Sequence, residues 1–243
     1  MQETDNRHED VRRDLAAIFR WSSRLGLCEG ICNHYSVAVD DAHFMVNPFG
    51  QHWSESRASD MLLVDHDGNV VDGSGQVEPT ALFIHCRIHC GLPQARCVLH
   101  THMPYATAIA SLDNGRLAMC SQNALRYYEA VAYDNDYQGL ALDDSEGDRI
   151  CQQLQGKRIL FLANHGVVVT GQNLACAFDD LYYLERACEV QVLAQSTGQS
   201  LRIVSDEIAR RTRDQFVEDP SYAQYHLAAI HRILERECPE YAT

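Results

Sequence analysis

The chain has 243 residues, 46% of them apolar, and a formal net charge of −14. That much apolar material can bury a large core, and the length suits one domain spanning 1–243 better than two. The acidic balance, with no basic run anywhere, argues against nucleic acid and anionic membrane surfaces as partners, and no stretch approaches the roughly 20 consecutive apolar residues of a membrane span.

The opening MQETDNRHED is polar and acidic, without the basic start and apolar middle of an export signal, so a cytoplasmic location is the expectation. The next apolar residues, Val11, Leu15, Ile18, Phe19, Ser22 and Leu25, recur near a 3.6-residue period and predict a helix over 7–25, stopped at Gly26. Tyr35–Val39 alternates as a strand, and Phe44–Val46 reads as its hairpin partner after Asp40-Asp41. Asn47-Pro48-Phe49-Gly50 is a turn. Met61–Val64 is a short strand, His66-Asp67-Gly68-Asn69 a turn, and Val70-Val71 the return. Residues 79–91 read as a helix. Cys97-Val98-Leu99 begins a buried strand that runs into two histidines, and Pro104 can open a helix through about Leu112. A helix over 143–155 carries acids in its first turn, where the helix dipole favours them. Arg158–Ala163 is an apolar strand ending at Asn164-His165-Gly166, and Val167–Thr170 continues extended. A long helix follows over 172–195, then two more over 204–217 and 219–237. With no repeat or linker, this mixed order predicts a three-layer α/β/α domain.

Ten cysteines are present and no pair is spaced C-x-x-C. In a long, core-rich chain they read as reduced and mostly as small buried apolar residues.

Leu99-His100-Thr101-His102-Met103 carries the sharpest chemical signal. In a strand, residues i and i+2 face the same side about 6–7 Å apart, so both imidazoles can converge on one ion. Zinc takes nitrogen ligands at about 2.0–2.1 Å, and a catalytic zinc often has three protein ligands and an open position. His165, at a strand end beside Gly166, is placed to supply the third. A histidine pair two apart is by itself a weak signal in a chain with 12 histidines. His85 and His89, four apart on a predicted helix, are a rival pair, although such pairs are more often packing contacts.

Cys97-Val98-Leu99-His100-Thr101-His102-Met103-Pro104, followed by Ala163-Asn164-His165-Gly166-Val167, resembles the class II aldolase/adducin family, which includes L-fuculose-1-phosphate aldolase, L-ribulose-5-phosphate 4-epimerase, a thioribulose-phosphate dehydratase and the adducin head domain. Arg24-Leu25-Gly26-Leu27, Gly30 through Val37, and Asn47-Pro48-Phe49-Gly50 extend the resemblance, which is strongest over 10–195. It implies an α/β/α fold around a mixed, largely antiparallel sheet, usually a homotetramer with the site near a subunit interface. It also implies a divalent metal on His100, His102 and His165, with zinc expected and manganese, cobalt, nickel or iron also able to fit three imidazoles.

The pattern departs from the family at the chemistry. Family aldolases place a glutamate acid/base in a Pro-Ser-Ser-Glu stretch, and here Ala81 falls at that position, with Glu78 three residues earlier. Glu78 is then either the displaced acid/base or a plain loop carboxylate. A family tyrosine that can donate a proton points to Tyr128, or to Tyr127, against the alternative of a structural tyrosine. The family's Gly-Thr-x-Gly-Asn phosphate loop is Gly30-Ile31-Cys32-Asn33-His34, and Ile31 offers no hydroxyl. A dianionic phosphate needs several donors, so a sugar phosphate is weakened as substrate. Asn33, His34, Thr80 and His52 can instead form an anion pocket, with Gly50 in the substrate-binding turn. The expected function is a metal-dependent lyase cleaving a hydroxy-carbonyl substrate through a metal-stabilised enediolate. Decarboxylase, dehydratase, epimerase and a non-catalytic adducin-like module remain alternatives.

Overall fold

The structure, a computed structural model, describes residues 8–140, 142–154 and 156–243. Residue 7 of the first expected helix and residue 155 of the fourth expected helix lie outside these. The chain runs through α1 (Glu9–Arg24), β1 (His34–Ala38), β2 (His43–Val46), β3 (Leu62–Asp65), β4 (Val70–Asp72), α2 (Pro79–Gly91), β5 (Cys97–Thr101), α3 (Pro104–Ala110), α4 (Gln122–Leu125), β6 (Val131–Asp134), α5 (Asp144–Leu154), β7 (Ile159–Leu162), β8 (Gly166–Gly171), α6 (Leu174–Gln195), α7 (Asp206–Glu218) and α8 (Ser221–Glu237). Short 3-10 turns occupy Trp53–Glu55, Ala58–Asp60 and Pro239–Ala242.

All eight strands join one sheet in the order β4-β3-β2-β1-β5-β8-β7-β6. Every neighbouring pair is antiparallel except β6 and β7. Side-chain alternation then decides the layers. Tyr35, Val37, Met45, Cys97, Leu99, Phe161, Val167 and Val169 face a large core shared with α1, α3, α6 and α8. Val98, Leu160, Leu162 and Val168 face the other way, against Ile84 and Ile88 of α2 and Ile150 and Leu154 of α5. This is the expected α/β/α arrangement.

Most sequence-derived elements stand within a residue or two. The segment α4 and the strand β6 were not expected. β6 has four residues at the sheet edge, only one of them buried, so it shows too little alternation to register as a strand. The ten cysteines are free, but only Cys97 and Cys188 are fully buried, with Cys32 and Cys90 exposed, which corrects the expectation that most are buried. Among the described residues no helix is long and apolar enough to cross a membrane.

One feature of the packing fixes where β5 ends. Thr101 is fully buried; its hydroxyl donates to the Leu27 carbonyl at 2.7 Å and accepts from the Met103 N–H at 2.8 Å. Pro104 then opens α3, since the first turn of a helix has no use for its missing N–H. The Glu185 carboxylate of α6 accepts the next two amides, from Tyr105 at 2.8 Å and Ala106 at 2.9 Å. Burial pushes the Glu185 carboxyl pKa up, against those two hydrogen bonds.

Glu185→Ala strips two buried helix-end amides of their acceptor and leaves a void. We expect a loss of about 2–4 kcal/mol in urea unfolding with an unchanged slope, and partial recovery in Glu185→Gln, whose amide oxygen still accepts. A loss below about 0.5 kcal/mol would show that this cap does not hold the exit of β5.

Candidate metal centre

His100 sits on β5 with its ring turned to the α2 face, directly opposite His34 on β1 and Val168 on β8. His102 follows two residues on, and the Thr101 anchor lets the chain turn without rotating it away. His165 comes from the tight link between β7 and β8, where Asn164 adopts a left-handed φ of 56° and the His165 N–H donates to the Leu162 carbonyl at 3.1 Å. The three ring centroids form a nearly equilateral triangle, with sides of 5.0, 4.8 and 4.8 Å. One ligating atom from each lies within 4.8 Å of the others.

The donor set fits a divalent ion. His100 Nδ1 donates to the Val167 carbonyl at 3.0 Å, so in the neutral ring Nε2 carries the lone pair. His102 Nδ1 meets the Glu29 carboxylate at 2.5 Å, so its Nε2 is also a lone pair. These two Nε2 atoms stand 3.2 Å apart. Two lone pairs at that distance repel rather than hydrogen-bond, and an electron-pair acceptor between them relieves the repulsion. Two nitrogens about 2.0–2.1 Å from a tetrahedral zinc would stand about 3.3–3.4 Å apart, close to this spacing. Burial, then the neighbouring His165, His34 and His102, hold the His100 pKa well below its ordinary value. Burial, then His102, bring His165 down to about 4. His100 and His165 are therefore neutral at neutral pH and need lose no proton to bind a metal.

Two close approaches keep the triad in shape. A Cβ on Gly166 would sit 2.6 Å from the Thr101 carbonyl oxygen and 2.9 Å from a ring carbon of His102, so position 166 must be glycine for His102 to keep its place. Glu29 orients His102 from a loop, and nothing in the sequence separates it from an ordinary surface acid. The Tyr137 ring stands edge-on to His165, 6.3 Å between centroids, and is half exposed.

The other expected residues divide. Asn33, buried and at a φ of 84°, accepts the Glu29 N–H at 3.1 Å and the His102 N–H at 3.5 Å. Its side-chain Nδ2 is buried with no partner, a free donor beside the triad. His34 stacks against His100, 4.9 Å between centroids, and its Nε2 lies 3.9 Å from Glu78 Oε2. Glu78 caps α2, its Oε2 accepting from the Ala81 N–H at 2.9 Å and from the Thr80 hydroxyl. Both readings of Glu78 thus have a basis: it closes a helix end and also borders the site. Ala81 is buried among Phe44, Val46, Leu62 and Val64, so no acid replaces the family glutamate at that position.

Gly50 lies in a turn at a φ of 84°, tied by the Phe49 N–H to the Gln76 carbonyl at 2.7 Å, and reaches the site only through the segment leading to Glu78. His52 caps the 3-10 turn at Trp53–Glu55 rather than lining an anion pocket. Tyr128 is a correction. It precedes β6, beside the start of β7, whereas His165 follows the end of β7; the four residues of β7 span about 13 Å. Its ring instead lies under the Arg210 guanidinium, 5.4 Å away. Tyr127 is buried and donates to the Asp180 carbonyl at 2.8 Å, the structural alternative. His85 and His89 gather no third ligand; among the described residues the triad is the one metal-competent group found.

The family description Class II Aldolase and Adducin N-terminal domain matches residues 13–192. An aldolase II superfamily protein from Pseudomonas syringae superimposes with a TM-score of 0.90 at 32% identity, covering 99% of this chain and 98% of that one. An L-fuculose 1-phosphate aldolase from Glaciozyma antarctica superimposes at 0.86 with 25% identity, covering 99% and 95%. The decarboxylase NovR of Streptomyces niveus is 32% identical over 226 residues, 89% of this chain and 83% of its own.

Glu29→Gln removes the negative charge behind His102, and we expect metal affinity to fall by about 10–100-fold, read by competition with a chromophoric chelator; unchanged affinity would remove Glu29 from the site. Acid stability gives a second test, on metal-free protein. His89 and His165 titrate near 4 when folded and near 6.5 when unfolded. Below 6.5 the unfolded chain therefore binds protons that the folded chain does not, and stability must fall with pH. Between pH 6.5 and 5, above the carboxylate range, we expect a loss of the order of 1 kcal/mol per pH unit per histidine. A flat profile over that window would mean these rings are not held neutral.

Proposed function

Because this chain belongs to the class II aldolase and adducin family, we propose that it is a divalent-metal-dependent lyase acting on a small hydroxy-carbonyl compound. The observation that carries this reading is the convergence of His100, His102 and His165 with two lone pairs facing across 3.2 Å. A divalent ion bound there supplies Lewis-acid polarisation of a carbonyl oxygen and a positive charge against which negative charge can build up.

The remaining roles fall to this chain's own groups. Glu29 fixes the ring orientation of His102. The free Nδ2–H of Asn33 donates to a substrate oxygen beside the triad. Glu78 Oε2, which accepts the α2 cap, also lies 3.9 Å from His34 Nε2 and sets a carboxylate, a group able to take a proton, at the edge of the site. Tyr137 stands beside His165 and limits access of water. Two carboxylates, Glu29 and Glu78, border this set, which favours a substrate without phosphate. Thr80 spends its hydroxyl on Glu78, so it is not a free donor for an anion. The reading takes zinc as the ion, manganese, cobalt, nickel or iron being able to replace it, a cytoplasmic setting, and a homotetramer. Exposed Val217, Tyr222 and Tyr225 on α7 and α8 support assembly.

Aldol cleavage, decarboxylation, dehydration and epimerisation all draw on the same polarised carbonyl, and the relatives named above include both an aldolase and a decarboxylase. One observation favours a non-catalytic, adducin-like binding module instead: Ala81, buried and apolar, where the family's acid/base would stand.

Elemental mass spectrometry on tag-free protein separates the two. We expect about one divalent ion per chain, lost in the His100→Ala/His102→Ala double variant, and cleavage or decarboxylation of at least one member of a panel of hydroxy-carbonyl acids, with sugar phosphates poorer. A native chain that takes up no metal even after remetallation would sink the lyase reading. Stoichiometric metal with no turnover across the panel would favour the binding module.

A further inference from the structure

Behind His34, on the α2 side of the sheet, an unbroken hydrogen-bonded chain runs through buried side chains. His89 Nδ1 meets the Ala95 carbonyl at 3.0 Å. His89 Nε2 meets the Ser36 hydroxyl at 2.7 Å. Ser36 Oγ also contacts His85 Nδ1 closely. His85 Nε2 meets His34 Nδ1 at 2.6 Å. All four side chains are buried.

The direction of this chain follows from its far end. A backbone carbonyl can only accept, so His89 Nδ1 carries the hydrogen. The rings are buried, which disfavours the charged forms of His85 and His89, and the 2.6 Å contact between His85 and His34 has room for one hydrogen, so each link has one donor and one acceptor. His89 Nε2 is then an acceptor, and the Ser36 hydroxyl must donate to it. Ser36 Oγ, its hydrogen spent, accepts from His85 Nδ1–H. His85 Nε2 accepts from His34 Nδ1–H. The one atom left over is His34 Nε2, a lone pair facing the site. It stands 3.9 Å from Glu78 Oε2, beyond hydrogen-bond reach. The reverse orientation would set a His89 lone pair against the Ala95 carbonyl.

We propose that His34 Nε2 is the acceptor for a substrate hydroxyl beside the metal triad, and that His85, Ser36 and His89 are positioning residues that hold His34 in that tautomer. The inference rests on the triad as the metal site for the word "beside", but the tautomer is a property of the metal-free chain as well. It gives His34 a different partner from the anion expected from the sequence: a lone pair repels a carboxylate or phosphate oxygen and rewards an O–H. A substrate hydroxyl that donates to His34 Nε2 satisfies an acceptor that otherwise lacks a hydrogen-bond partner, the nearest carboxylate oxygen being 3.9 Å away. The substrate class narrows accordingly to compounds that keep a free hydroxyl next to the chelating carbonyl or carboxylate group. An ether or a deoxy analogue leaves that acceptor unpaired, the situation in which polar sites discriminate most.

The test reads the tautomer first. Long-range proton–nitrogen correlation spectra of 15N-labelled chain, metal-free and zinc-loaded, with His34 identified from the His34→Gln spectrum, should show hydrogen on Nδ1 and none on Nε2. Hydrogen on Nε2 overturns the proposal. Ser36→Ala cuts the chain between His85 and His89, and the His34 signals should become those of a tautomer mixture; an unchanged spectrum removes the positioning role. The second readout is calorimetric binding of glycolate against its methyl ether, methoxyacetate, to the zinc-loaded chain. We expect glycolate to be preferred by about tenfold or more, and that preference to vanish in His34→Phe while zinc stays at one per chain. Equal binding of the two probes, or binding of neither, overturns the acceptor role. A chain that takes no metal fails the lyase reading, while the spectrum of the metal-free chain still decides the tautomer.

Discussion

The structure depends on gathering imidazole lone pairs at one point of the protein where the rings are buried or half-buried. Such a cluster is unfavourable unless every ring has a partner on its other nitrogen and a cation can complete the centre. Much of the surrounding architecture meets the first condition. His100 spends Nδ1 on the Val167 carbonyl of the neighbouring strand, His102 spends its Nδ1 on Glu29, and His34 spends its Nδ1 on His85. The strand pairing that puts His34 opposite His100 makes the sheet itself the scaffold of the site. The turn to α3, anchored by Thr101 and Glu185, ends β5 before its next residue could carry the backbone past the centre.

The legible part of the sequence was the part governed by short-range rules. Helix period, strand alternation and the Pro79 and Pro104 starts put most elements within a residue or two of their observed bounds. The convergence of the histidine triad was legible for the same reason: a two-residue spacing on a strand is a local statement about facing, and Gly166 after His165 marks a close approach that the structure shows against His102. β6 was not legible because an edge strand of four mostly half-buried residues has too little pattern to stand out. Tyr128 was misplaced because a residue near the site in sequence order can still lie at the opposite end of a strand, and only the parallel pairing of β6 with β7 shows which end.

What escaped the sequence has a common physical character. Glu29, Ser36 and the His85–His89 pair act through side chains far apart in the chain that meet at hydrogen-bond distance. His85 and His89 looked like a rival metal pair because i,i+4 histidines on a helix share a face. The fold instead brings Ser36 from β1 between them, and a hydroxyl that both donates and accepts turns two potential ligands into links of a chain. The composition of a histidine cluster therefore does not tell a metal site from a relay. What tells them apart is the group on the far nitrogen: in the triad the free lone pairs converge, whereas behind His34 each lone pair is already answered by a donor.

That distinction also bears on the departure at Ala81. In the sequence alone, an alanine at the family's glutamate position reads as a loss, and it invites the conclusion that the chain gave up chemistry. The packing places Ala81 in an apolar cluster with Phe44 and Val46, so a carboxylate there would now be buried without a partner and costly. Beside it, His85 and His89 of the same helix join Ser36 and His34 of β1 in a buried chain of polar groups that ends in one acceptor, His34 Nε2. Buried polar networks survive at a price in desolvation, and a network whose only unsatisfied atom faces an open triad is hard to account for as packing alone. In the proposed reading, the apolar surroundings of Ala81 leave no place for a charged group there, and the neutral, oriented acceptor at His34 takes a substrate oxygen that still carries its hydrogen.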